Sequence, residues 1–421
     1  MRARRLAITL VGLACVLAAA SDLASGSISR AGLRHGLARQ MYRVGGASGA
    51  YVRDLDASRN RTLFSWASRT RRALASNTKL FTMAAVLDRF GAEASFKTRV
   101  YARPAGTVAG HTLRGSLVVV GAGDPALGRA GFARRYGLPL TPLGELATDV
   151  RKAGIKRVSG RVLADDTIFD RRRGIPTSGV DASGELGPLS GLSYDSGIVH
   201  GHYAKNPELV AARALKHKLR AAGVHVEGGG TGRAGLPARA LRRRALGSVD
   251  SPPVRALLAA TLKPSSNFFA ETLLKRLAAS RGGAHGTTRR GVRKVRKLAH
   301  RLGSGIAMEN GSGLSRADRA SPRQVVVLLA AMERGAEGGV YRRSLPVAGE
   351  EGTVAGRMNG TAADGRCRTK TGTLIGVSAL SGYCDAGHGR VAFSILMNSV
   401  DVNAARSAQD RMAALIARYR R

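Results

Sequence analysis

Acidic residues are scarce. Only 28 Asp and Glu stand against 68 Lys and Arg in 421 residues, leaving a formal charge of +40. A charge of this size holds a protein near polyanions, and anionic cell-wall polymers, an acidic membrane surface and nucleic acid would all attract it. The motifs that would select nucleic acid are missing: there is no zinc finger, no RNP-like aromatic motif and no basic helix joined to heptads. Nucleic acid is therefore not expected as a partner. Lysine is also scarce, with twelve of the 68 basic positions. Alongside the abundant Ala and Gly, this arginine excess reads as a coding bias, so part of the charge carries no function.

Metal-binding patterns are absent as well. The nine histidines include His200-Gly-His202 but no HExxH, and no paired CxxC occurs, so neither a metal nor another cofactor is expected. No internal repeat and no low-complexity linker is found. The main apolar run, LAITLVGLACVLAAA, is fifteen residues long and is short for a membrane span. It follows the basic MRARR and ends in small residues, the pattern of a secretory signal peptide over residues 1–20, which implies an exported protein of the periplasm or cell wall. Only three cysteines are present. Removing the signal with Cys15 leaves Cys367 and Cys384 in a setting where disulfides persist. A hairpin turning at Ile375-Gly376 would set them opposite each other, which makes a cross-strand disulfide reasonable; two free thiols are the alternative.

What remains is a chain with 44% hydrophobic residues, able to bury one large core or two smaller ones. SGAYVRDLDASRNRTLFSWA reads as a hairpin. In LFTMAAVLDRF, Leu80, Met83, Ala84 and Leu87 recur at helical spacing and give a core-facing stripe. From Phe96 to about Ser248 the pattern changes to short β-like segments among Gly-rich turns, with one helical stretch at PELVAARALKHKLRAAG. SPPVRALLAATLKPSSNFFAETLLKRLA is helical in period with breaks at its prolines, and SPRQVVVLLAAM starts another helix with Ser321 as N-cap. The end alternates as antiparallel strands before a closing helix in AARSAQDRMAALIARYR.

Ser76 and Lys79 lie three positions apart at the head of a helix, so the ammonium can reach the hydroxyl. The pair acts as nucleophile and base only if the lysine loses its proton, which burial, nearby cations and the helix dipole favour. Alone, SxxK is read first as a capping serine and a solvated lysine. Two further elements follow in order: Ser265-Ser266-Asn267, an SxN pattern ahead of a helix, and Lys370-Thr371-Gly372 with Thr373, a KTG pattern on an edge strand. Ser58-Arg59-Asn60 also fits SxN, but it precedes SxxK. The order SxxK, SxN, KTG is the signature of β-lactamases and penicillin-binding proteins. Asp124 and the Asp165-Asp166 pair read as turn and structural carboxylates, and Gly311 and Gly313 as turn glycines.

The segments GAGDPAL, DDTIFD, SPPV, SSNFFAETLL, NGSGLSR and KTGTLIGVSALSGY resemble the D-alanyl-D-alanine carboxypeptidase/endopeptidase family S13, the class C low-molecular-mass penicillin-binding proteins, over roughly residues 40–415. The resemblance implies an α/β (α+β) fold: a β-lactamase/transpeptidase-like domain, an antiparallel sheet flanked by helices, over residues 38–96 and 249–421. An inserted domain of mixed α/β type would occupy 97–248. It implies a serine D-Ala-D-Ala carboxypeptidase acting on peptidoglycan stem peptides through an acyl-enzyme, with β-lactam antibiotics as covalent inhibitors; DD-endopeptidase action shares that acyl-enzyme, and the balance between the two is left open. Ser76 would be the nucleophile and Lys79 the base. Ser265 would relay the proton to the leaving amine and Asn267 would hold the substrate amide. Lys370 and Thr371 would bind the terminal carboxylate, Gly372 would belong to the same substrate-binding strand, and the N–H groups of Ser76 and Thr373 would form the oxyanion hole. Ser266 stands where the family commonly has aspartate. A non-catalytic polyanion-binding wall protein of the same fold and a β-lactamase are the rival readings.

Overall fold

The computed structural model describes residues 26–56, 61–103, 106–175, 178–181, 183–235, 244–280, 283–387 and 389–420. The expected signal peptide and Ser58-Arg59-Asn60 lie outside them. In chain order the elements used below are helix α1 (Arg30–Val44), strands β1 (Ala47–Asp54) and β2 (Thr62–Trp66) and helix α2 (Thr78–Phe90). Helices α3 (Val254–Leu262), α4 (Asn267–Ala278) and α5 (Thr288–Arg301) follow, then strands β3 (Cys367–Leu374), β4 (Val377–Ala386) and β5 (Gly389–Asn398), and helix α6 (Val402–Arg418). Two compact units result. One gathers the described residues up to Arg72 with Ala320–Ala330 and Leu345 onward; the other gathers Ala73–Arg319 with Ala331–Ser344.

The first unit is built on a five-stranded antiparallel sheet in the order β3-β4-β5-β1-β2. β4 and β5 are central and nearly continuously buried, so they read as unbroken small and apolar runs rather than as an alternation. Helices α1 and α6 cover one face: Leu33, Leu37 and Met41 share a core with Met412, Ala413 and Ile416 and with Val52, Leu380, Phe393 and Ile395 of the sheet. Burying each of these side chains apart from Ala413 contributes about 1.5–3 kcal/mol. The closing helix thus packs on the sheet, with Ala405, Ala408, Met412 and Ile416 on its buried face. Helix α1 starts ahead of residue 38, where the sequence pattern begins to be readable. Its core stripe is only three residues among arginines.

In the second unit α2 is surrounded. The spacing predicts one buried stripe, yet every residue from Thr78 to Leu87 is buried. A helix with only one long polar side chain in its first ten positions can be enclosed on all sides, and here α3, α4 and α5 pack around it. The proline break falls between α3 and α4, where Ser265 takes a left-handed backbone with φ 61°. Ser266 caps α4 by accepting from the Phe269 N–H at 3.3 Å. Aspartate, common at this position in the family pattern, caps a helix equally well.

The segment following α2 enters at Lys97–Ala102 and leaves at Gly247–Asp250, and these two strands pair antiparallel with Lys97 opposite Asp250. They form the edge of a mixed five-stranded sheet whose other strands are Leu117–Val120, Val162–Asp165 and Thr231–Arg233. Leu143–Lys152 and Pro207–Ala221 supply its helical cover through Leu146, Val150, Leu215 and Leu219. Asp124 is buried and accepts from the Ala126 N–H and the Thr141 hydroxyl, and Asp165 accepts twice from Thr167, so both carboxylates hold turns. At Ser321 the side chain accepts from the Gln324 N–H at 3.2 Å while Gln324 accepts from the Ser321 N–H, a reciprocal cap of helix Pro322–Arg334.

Candidate active site

Ser76 sits in a single 3-10 turn, Ala75–Asn77, that runs into α2. One helical turn later, Lys79 is fully buried. Its Nζ lies 2.9 Å from Ser76 Oγ, 2.7 Å from Asn267 Oδ1 and 2.7 Å from the Ser312 carbonyl oxygen. Two of these partners are acceptors only. The third is a hydroxyl that either accepts or donates. A protonated lysine donates to all three; a neutral one donates to Asn267 and Ser312 and turns its lone pair to the Ser76 proton. The geometry fits a base that keeps its position while changing protonation state.

Burial shifts the balance toward the neutral amine. Burial pushes the Lys79 ammonium down to about 7, against the opposing pull of Glu271, Asp318 and Glu185. Glu271 follows Asn267 by four positions and so shares its face of α4. It is fully buried, and Oε1 accepts from the N–H groups of Gly311 and Ser312 at 2.7 and 2.6 Å. Ser312 in turn presents its carbonyl to Lys79. Glu271 therefore holds the loop that holds the lysine. Asp318 accepts from Glu309 and Asn310 N–H, and burial pushes its carboxyl up to about 8. The oxygens Glu271 Oε2 and Asp318 Oδ2 are buried without a hydrogen-bond partner among the described residues. Asn267 is oriented from its other end, where Nδ2 donates to the Glu185 carbonyl at 2.8 Å, turning Oδ1 to the lysine.

The NGSG loop approaches the Ser76 turn directly. Gly313 has φ +87°, and a Cβ there would stand 1.9 Å from the Ala75 carbonyl oxygen. Ala75 itself has φ 45°, a left-handed conformation uncommon for alanine. The loop is locked by Asn310, whose Oδ1 accepts from the Gly313 N–H and the Ser312 hydroxyl while Nδ2 donates to Ser178 Oγ. Gly313 is thus a turn glycine that also permits a close backbone approach to the serine's turn.

The remaining sequence-derived residues lie on β3 and belong to the first unit. Lys370 is buried and donates to the Thr371 carbonyl at 2.9 Å. Thr371 pairs with Leu380, Gly372 with Ala379 and Thr373 with Ser378. The Thr371 hydroxyl donates to Thr353 Oγ1, and the exposed Arg406 of α6 donates to Thr373 Oγ1 at 3.1 Å. β3 and β4 turn at Ile375-Gly376, Cys367 faces Cys384, and the two are bonded with sulfurs 2.01 Å apart. Among the described residues no group of three His, Cys, Asp or Glu side chains is arranged to hold a metal ion.

Within the second unit, Glu271 and Asp318 flank the Lys79 cluster without belonging to any of the three motifs, and Ser312 enters it from the NGSGLSR segment; within the first unit, Arg406, also outside the motifs, lies beside Thr373. Glu271 had a signal in the sequence, the i+4 spacing from Asn267. Ser312 acts through its backbone, and Asp318 reaches the Lys79 surroundings, and Arg406 the Thr373 hydroxyl, through tertiary folding within their own units, which leaves no local mark.

A family model described as the D-Ala-D-Ala carboxypeptidase 3 (S13) family matches residues 37–200 and 195–419. A D-alanyl-D-alanine carboxypeptidase of Actinomadura sp. (strain R39) is 30% identical, over 89% of this chain and 82% of the relative. The crystal structure of penicillin binding protein 4 from Haemophilus influenzae matches with a TM-score of 0.72 at 20% identity, over 90% of this chain and 98% of that one. That protein's complex with a β-lactam matches with a TM-score of 0.66, at the same identity and coverage. These two structures show a shared fold.

Proposed function

The chain belongs to the D-Ala-D-Ala carboxypeptidase 3 (S13) family, and from that membership we propose that it is an exported serine carboxypeptidase that removes the terminal D-alanine of peptidoglycan stem peptides through an acyl-enzyme on Ser76. The observation that carries the reading is the position of Lys79, buried, with two fixed acceptors and one hydroxyl around its nitrogen. Neutral Lys79 takes the Ser76 proton as Oγ attacks the D-Ala-D-Ala carbonyl carbon. The carbonyl oxygen gathers negative charge beside the N–H groups assigned to it, those of Ser76 and Thr373. The C–N bond then breaks, the proton on Lys79 passes by way of Ser265 to the leaving amine, and D-alanine departs. Water repeats the sequence on the ester, with Lys79 again the base, and frees the shortened peptide.

Asn267 serves twice in this scheme. Its Oδ1 fixes Lys79 and its amide plane lines the path of the substrate's own amide. Lys370 and Thr371 are assigned to the substrate carboxylate on their motif, a task suited to a cation and a hydroxyl on a strand. The same acyl-enzyme, formed from a cross-linked stem, makes endopeptidase action the second reaction. A β-lactam supplies an amide that acylates Ser76 without a departing amino acid, which gives covalent inhibition. Export rests on residues 1–20, and it places the enzyme at the wall where both substrates lie.

Digestion of defined muropeptides by the purified protein, read by mass spectrometry, tests the reading. The expected result is loss of one alanine from pentapeptide stems, abolished in Ser76→Ala. Intact stems after prolonged digestion would overturn it. Slow release of a bound fluorescent penicillin is expected, and rapid turnover would identify a β-lactamase instead.

A further inference from the structure

Helix α5, TRRGVRKVRKLAHR, divides completely into two faces. Gly291, Val292, Val295, Leu298 and Ala299 are buried. Arg289, Arg290, Arg293, Lys294, Arg296, Lys297, His300 and Arg301 are exposed, and the helix contains no acidic residue. At 3.6 residues per turn the exposed side chains fall into two parallel rows. One is 289, 293, 296 and 300; the other is 290, 294, 297 and 301. Members of a row are spaced about 4.5–6 Å apart along an axis of about 21 Å.

This arrangement costs stability. Like charges at i+3 and i+4 destabilise a helix by about 0.2–0.5 kcal/mol per pair, and Arg289 and Arg290 sit in the first turn, where the helix dipole opposes cations. The fold offers little compensation: among the described residues the ion pair from this face is Arg301 with Asp88, and Arg290 donates to the His285 carbonyl. A coding bias toward arginine does not account for Lys294 and Lys297, nor for the exclusion of acids from one face.

We propose that the outer face of α5 is a docking rail for a linear phosphodiester polymer of the cell wall. Five of its cations are arginines, whose planar fork pairs with phosphate oxygens in a bidentate manner. Two straight rows follow an extended chain of repeating charges. A lipid surface is the poorer partner, because peripheral helices hold membranes by an apolar face, and here Val292, Val295 and Leu298 face the protein core. The rail keeps the enzyme within the wall while the serine site works on stems. The identity of the polymer rests on the proposed wall location, whereas the serine chemistry does not depend on the rail.

The test uses full-length mature protein and a fluorescent poly(glycerol phosphate) oligomer, with anisotropy followed against salt. The quadruple variant R293Q/K294Q/R296Q/K297Q is expected to bind at least tenfold more weakly at an ionic strength of about 0.15 M. Its log–log salt slope should flatten by up to about 3, near 0.7 per lost phosphate contact. The control R134Q/R135Q/K152Q/K156Q removes the same charge from exposed positions elsewhere and is expected to bind like the parent. Each pair variant, R293Q/K294Q or R296Q/K297Q, should lose an intermediate amount, which keeps the test valid should the quadruple fail to fold. Equal losses in helix and control variants would overturn the proposal in favour of net charge. Binding to vesicles with one third phosphatidylglycerol that exceeds polymer binding and depends on α5 would overturn it in favour of a membrane. Penicillin acylation of Ser76 should be unchanged in all these variants, so failure of the rail and failure of the enzyme reading are told apart.

Discussion

Lys79 is the residue on which the proposed chemistry turns. Replacing it with Ala should lower the rate of penicillin acylation by about 10²–10⁴-fold, the usual contribution of a positioned base, measured by stopped-flow labelling. In the parent enzyme that rate should climb with pH through a midpoint near 7, because the amine is reactive only once its proton has left and burial brings that loss down to about 7. Glu271 pulls in the opposite sense. Glu271→Gln keeps an oxygen for the Gly311 and Ser312 N–H groups and removes the charge that favours the ammonium. Its midpoint should therefore fall below that of the parent. A purely structural role for Glu271 would lower the rate and leave the midpoint in place, so the pH profile separates the two.

At the scale of elements, two contacts carry predictions. Gly313 lies so close to the serine's turn that a methyl group would overlap the Ala75 carbonyl, and its φ of +87° suits glycine. Gly313→Ala should displace Ser76 and reduce acylation by about 10²-fold, the scale of a misplacement near 1 Å, with a lowered melting temperature. The Cys367–Cys384 bond closes a sequence separation of 17 residues. Cys367→Ala with Cys384→Ala should cost about 3 kcal/mol by loop-closure entropy, seen in denaturant melts, while acylation at low temperature persists. The hairpin was readable because its register follows from where the turn falls, and the turn at Ile375-Gly376 fixes every pair from Cys367 to Leu374. The environment of α2 was not readable. Its stripe at Leu80, Met83, Ala84 and Leu87 is real, but burial of the opposite side depends on α3, α4 and α5 arriving from positions far along the chain. That enclosure is what separates a basic lysine from a solvated one.

Over the whole molecule, the order of SxxK, SxN and KTG carried the fold class because each motif occupies its own kind of element: a helix start, a helical turn and a sheet edge. The supports behind the motifs left weaker traces. Glu271 and the NGSG loop act on Lys79 through buried carboxylate and backbone contacts, and such roles emerge only from tertiary distances. Charge shows the same division. Composition gives +40, whereas the concentration of seven Lys and Arg on one helix face emerges from burial along α5. The central claim, a serine nucleophile made reactive by a buried amine, is tested most directly by mass spectrometry of the intact protein after brief exposure to benzylpenicillin, followed by peptide mapping. One covalent adduct per chain, on Ser76 and missing in Ser76→Ala, is the expected result. An unmodified protein, or an adduct that persists in Ser76→Ala, would contradict the account.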